Sequence, residues 1–151
     1  MFRLIKSNET IYGMALSRKD LAAIIEDNTR EIICHLAKLY YFQEDKDDLN
    51  HWRGEIYAFL HNVKRLKGSN KFPDANFIFK NTFIVNESSV EICMEDTYVD
   101  YCENHVPTRD YDLNEFTNIV KEYFTWLSNI LSNRGQVSKD SISKKLIQLG
   151  L

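Results

Sequence analysis

The chain has 151 residues, 44% of them hydrophobic and 27% charged, with a formal charge of −3. That length suits one domain around one core, and the composition excludes the charge-rich, apolar-poor class that stays disordered. A net negative charge also argues against nucleic-acid binding through bulk electrostatics.

Residues 1–16 come first, with Phe2, Leu4 and Ile5, then Ile11, Tyr12, Met14 and Leu16, flanking a polar Ser7–Thr10 stretch. This fits a short β-hairpin or an arm laid on the rest of the fold. Ser17 is placed to cap a helix whose apolar positions Leu21, Ile24, Ile25, Ile32, Leu36 and Leu39 recur at threes and fours to about Phe42. The polar run Gln43–Asp48 breaks that pattern. A second helix from about Leu49 presents Trp52, Ile56, Phe59, Leu60, Val63 and Leu66 on one face, and Gly68 stands at its C-terminal cap.

Pro73 and Asp74 suit the opening of a short helix through Phe79, and residues 80–86 fit either a helix end or an extended connection. Ser88 and Glu91 have capping-box spacing and predict a helix to about Asn104, with Val90, Met94, Tyr98 and Tyr101 facing inward. Pro107 ends it. Asp112 and Glu115 repeat the box before the most regular apolar stripe in the chain, which runs from Leu113 through Phe116, Val120, Tyr123 and Leu127 to Leu131 and stops at Arg134-Gly135. A last helix spans about Lys139 to Leu149. With only five Gly and two Pro, the expectation is an all-α, single-domain bundle of five to six helices over residues 1–151.

Chemistry is harder to find than architecture. Every glycine is isolated, so no phosphate-cradling loop is expected, and with it no nucleotide cofactor. Cys102 and His105 are three apart and Cys34 and His35 adjacent, but no spacing draws a full ligand set together, so no metal is expected. Three cysteines without a pairing pattern, an opening with no signal-peptide run and no long apolar stretch together point to a cytoplasmic protein without a membrane span.

Two local resemblances exist. Arg30-Glu31-Ile32-Ile33-Cys34-His35 resembles the Arg-x4-His motif of HEPN ribonucleases, which are all-helical domains of comparable size. The resemblance implies that Arg30 holds an RNA phosphate and His35 moves protons at a dimer interface. In that family the motif lies late in the domain, whereas here it lies on the first long helix. The segment from Ile130 through Gly135 and Ser138 to Leu149-Gly150-Leu151 resembles the first two helices of a bacterial winged-helix regulator. That resemblance implies DNA contacts through Lys139, Lys144 and Lys145, with the recognition helix beyond Leu151 not represented.

Charge segregation is the feature with most weight. Between Asn86 and Glu115 lie Glu87, Glu91, Glu95, Asp96, Asp100, Glu103, Asp110, Asp112 and Glu115, and Arg109 is the one cation among them. The remainder of the chain is net positive, with a cluster at Lys64, Arg65, Lys67 and Lys71. Tyr98, Tyr101 and Tyr111 lie among the acids, and tyrosine is favoured at interfaces. The expectation is a non-enzymatic protein-binding module: a small acidic inhibitor of the immunity-protein, antitoxin or phage-antagonist kind, facing a basic partner such as a nuclease. Its expected contact set is Glu91, Glu95, Asp96, Tyr98, Asp100, Tyr101, Glu103, Asp110 and Tyr111.

Overall fold

The computed structural model describes residues 18–67, 87–132 and 138–151. Within them the chain forms α1 (Arg18–Tyr41), α2 (Lys46–Lys67), α3 (Glu87–Cys102), α4 (Leu113–Ser132) and α5 (Lys139–Gln148), and no strand. The fold is an all-α bundle. The expected N-terminal arm or hairpin at 1–16, the short helix expected through Phe79, the ambiguous residues 80–86 and the basic side chains of Lys64, Arg65, Lys67 and Lys71 lie outside the described residues.

Helix α1 is the axis of the bundle. It packs against α2, α3 and α4, while α5 lies on α2 and α3 meets α4. One apolar stripe does not describe α1, because from Ile32 onward burial reaches round the helix: Ile33, His35, Ala37, Tyr40 and Tyr41 are buried alongside Ile32, Leu36 and Leu39. A helix with neighbours on three sides has little solvent face left, and the chain supplies aromatic and small residues where an outer helix would carry charges.

The helix ends explain where each element starts and stops. Thr108 closes α1: its N–H donates to the Tyr41 carbonyl at 2.6 Å, its hydroxyl donates to the same oxygen, and the Gln43 N–H donates to that hydroxyl at 3.0 Å. Asp45 caps α2, with Oδ1 accepting from the Asp47 N–H at 2.8 Å, so the helix begins three residues before Leu49. The run 43–48 is thus a cap and a first turn, with Asp47 and Asp48 matched to the positive end of the helix dipole. Ser88 lies inside α3, which begins at Glu87, and is therefore not its cap.

Asp112 does cap α4, accepting from the Glu115 N–H at 3.0 Å. The reciprocal half of that box is replaced, because the Asp112 N–H donates to the Tyr41 hydroxyl at 3.1 Å. A buried tyrosine of α1 thereby fixes the entry of α4. Ser138 and Ser141 form a mutual capping box at the start of α5.

The C-terminal end of α5 ties distant segments together. Gly150 takes a positive φ of 85°, its N–H donating to the Ile147 carbonyl while the Leu151 N–H reaches back to Leu146 at 2.8 Å. This is the Schellman closure, which glycine enters without steric cost. The exposed Gly150 carbonyl accepts from Gln43 at 2.7 Å and from Arg109 at 2.8 Å, and Arg53 donates to the Leu151 oxygen at 2.6 Å. Leu151 itself is buried in the core.

Candidate docking surface

Position on α3 decides which of its side chains meet the bundle. Val90, Cys93, Met94 and Thr97 are buried and face α1 and α4. At about 100° per residue, the opposite side of the helix is centred on Ile92 and Val99. Both are exposed, 61% and 62% respectively. Glu91 and Glu95 run along one flank of this pair, and Asp96, Asp100 and Glu103 along the other. All five are exposed except Glu91, which is half-buried.

The acids have few internal partners. Among the described residues the ion pairs are Arg30 with Glu26 and Asp27, His51 with Glu55, and Lys144 with Asp140, so none involves a carboxylate of residues 91–115. Arg109, the cation within the acidic segment, is engaged elsewhere. Its guanidinium donates to the Gly150 carbonyl and lies over the Tyr40 ring at 4.6 Å from the centroid. Among the described residues no cation forms an ion pair with the carboxylates of α3.

The loop after α3 folds back onto the Glu91 flank. Tyr111 packs edge-on against Tyr98 at 5.3 Å and stacks on Tyr41 at 6.1 Å. Burial, then the charges of Glu95 and Glu91, raise the Tyr111 phenol above its ordinary pKa. Asp110 is exposed next to it. The tyrosines are not equivalent. Tyr98 and Tyr101 are half-buried: Tyr98 packs on Tyr41 and Phe42, and Tyr101 on Trp52 and Phe42 with the Lys38 ammonium over its ring at 4.9 Å. They hold α3 to the bundle, while Tyr111, 45% exposed, offers area to the outside.

Sequence reasoning places the carboxylates of this surface but not Ile92 and Val99. Periodicity assigns apolar residues inward, and nothing in the spacing marks these two as excess. The available signal is that α3 carries apolar residues on two opposed sides.

The other singled-out residues take ordinary structural places. Arg30 is exposed and paired within its own helix. His35 is buried, its Nδ1 hydrogen-bonded to the Glu31 carbonyl at 2.8 Å and its ring edge-on to Phe59 at 5.2 Å; burial lowers its pKa below the ordinary value. Five residues separate the two, so they leave α1 roughly 140° apart. Of the α5 lysines, Lys144 pairs with Asp140 and Lys145 lies over the Trp126 ring at 5.9 Å.

Cys34 sits against Cys93 across the α1–α3 contact. A hydrogen bond from Cys93 lowers the Cys34 thiol to about 7, and the same bond raises Cys93. Among the described residues no group of three or more His, Cys, Asp or Glu is arranged to hold a metal ion, and no helix is long and apolar enough to cross a membrane. A cavity of about 410 Å³ opens between residues 42–48 and 105–106, where Phe42 and Val106 meet Glu44, Asp48 and His105.

Compared with family models, curated proteins and solved structures, the chain matches none.

Proposed function

We propose that the protein is a non-enzymatic binding module whose acidic α3 surface docks a basic protein. In its sharpest form it is a small inhibitor, of the immunity-protein or antitoxin kind, that covers a cationic site such as the nucleic-acid face of a nuclease. The observation that carries this reading is the pairing of two features on one helix face. Carboxylates without ion pairs among the described residues flank Ile92 and Val99, and both apolar side chains stand in water.

Each feature alone is common on soluble proteins. Together they have the anatomy of an interface, with an apolar centre to be desolvated and a charged rim to steer the encounter. Interior hydrogen bonding accounts for Arg109, Asp112 and Tyr41, and Glu115 shares a hydrogen bond with the Tyr40 hydroxyl, which leaves Glu91, Glu95, Asp96, Asp100 and Glu103 without an ion pair among the described residues.

The test is retention of basic proteins by immobilised parent and by the Glu95→Lys/Asp96→Lys/Asp100→Lys variant. The parent is expected to hold a defined basic protein at about 50 mM salt and release it near 0.5 M, because exposed charges are screened over that range. The variant is expected to hold none of it while keeping its helical circular dichroism. Equal retention by both proteins removes the acidic surface from the mechanism.

A further inference from the structure

We infer that the element seated on α3 is a basic amphipathic helix, which packs its apolar stripe along Ile92 and Val99 and its flanking lysines or arginines against the two acidic rows. This deepens the acidic-surface reading and rests on it.

The geometry follows from the spacing. Ile92 and Val99 are seven residues apart, two helical turns or about 10 Å along the axis. If both are given the first core position of a heptad, Glu95 and Cys102 complete the seam, and Cys102 is exposed as that register requires. Asp96 then occupies one flanking position, with Glu103 in the turn just past the helix end, and Glu91 and Tyr98 occupy the other. The apolar strip is one side chain wide and straight, which matches the stripe of a second helix better than a broad flat patch. An extended peptide has less to gain, because the backbone groups of α3 are already hydrogen-bonded within the helix and offer no ladder to join.

Charge selects the occupant. A second copy of α3 would set carboxylate rows against carboxylate rows and bring Glu95 into the seam, so self-pairing is disfavoured by the same residues that favour a cationic partner. The β-branched Ile92 and Val99 supply the packing, and the acids supply orientation and discrimination.

Two synthetic peptides of about 20 residues test this, long enough to form a helix when docked. One carries Leu at the heptad core positions with Lys at the flanking ones; the other is a scramble of the same composition without an apolar stripe. The patterned peptide is expected to bind the parent roughly tenfold more tightly than the scramble, and the charge-neutral Ile92→Gln/Val99→Gln to remove that advantage while leaving the scramble unaffected. Thermal unfolding of the double variant is expected within about 3 °C of the parent, because both side chains are exposed.

Equal, salt-sensitive binding of the two peptides overturns the helix and leaves the acidic-surface reading standing. Binding of neither overturns both. A parent that sediments as a dimer which the double variant dissolves assigns this face to a second copy, and a large loss of thermal stability assigns it to the chain itself; either result overturns the inference.

Discussion

Helix α4 keeps its large apolar side chains turned inward. Phe116, Val120, Tyr123, Phe124 and Leu127 are buried, while Asn114, Glu115, Asn118, Lys121, Glu122 and Thr125 face water. Helix α3 contacts the same bundle but divides its apolar residues, with Val90, Cys93 and Met94 inward and Ile92 and Val99 outward. One helix is used up by folding, and the other has a face that folding leaves free. Exposed aliphatics are common singly, but two in register between carboxylates that have no ion pair among the described residues form a pattern that stability alone does not require.

The sharpest way to break this contrast is to truncate one residue from each side. Phe116→Ala in α4 is expected to cost about 3–5 kcal/mol and Met94→Ala on the inner face of α3 about 2–5 kcal/mol, because both leave cavities in a packed core. Ile92→Ala is expected to change stability by no more than about 0.5 kcal/mol. Urea unfolding of the three variants measures all of this. A loss at Ile92 comparable to that at Met94 would mean that the outer face belongs to the core.

These expectations show what could be read from the sequence. The α4 stripe was legible from Phe116 to Leu127, because its apolar residues recur on one face that turns toward α1 and α3. The wrapping of α1 was not: Tyr40, Tyr41 and His35 look like outer positions until three neighbours surround them. The acidity of the α3 surface was visible as composition, but its lack of ion pairs among the described residues depended on Arg109, which bonds the Gly150 carbonyl 41 residues away. Ile92 and Val99 were not assigned, because the inward positions are read from one side of the helix and the opposite side is not compared with it. Tyr98 and Tyr101 read both as inward positions and as contact residues, and their half-buried rings brace the bundle as the inward reading expects.

Acid provides a smaller test, directed at the interior. His35 is buried with its pKa lowered below the ordinary 6.5, chiefly by desolvation. The unfolded chain therefore binds a proton there that the folded chain resists, so stability is fully present above pH 6.5 and declines as the pH falls below it. The decline is expected to flatten in His35→Phe, measured as the unfolding midpoint between pH 7 and about 5. An unchanged slope would remove His35 as the source.

The smallest expected effect lies back in α4. Among the described residues the buried Tyr123 hydroxyl has no hydrogen-bond partner, and neither does the Thr117 hydroxyl. Tyr123→Phe is expected to be neutral or to stabilise by up to about 1 kcal/mol, because it relieves an unpaired polar group and keeps the ring. A loss of more than about 1 kcal/mol would show that the hydroxyl is satisfied after all.

The most direct measurement is a map of amide chemical shifts as the Lys- and Leu-patterned helical peptide is titrated into the protein. The account expects perturbations concentrated at Glu91, Ile92, Glu95, Asp96, Val99 and Glu103, with little change at the exposed acids Glu26, Asp27 and Glu44. Shifts spread evenly over all of these carboxylates would contradict it, because the peptide would then be sampling negative charge rather than occupying a built face.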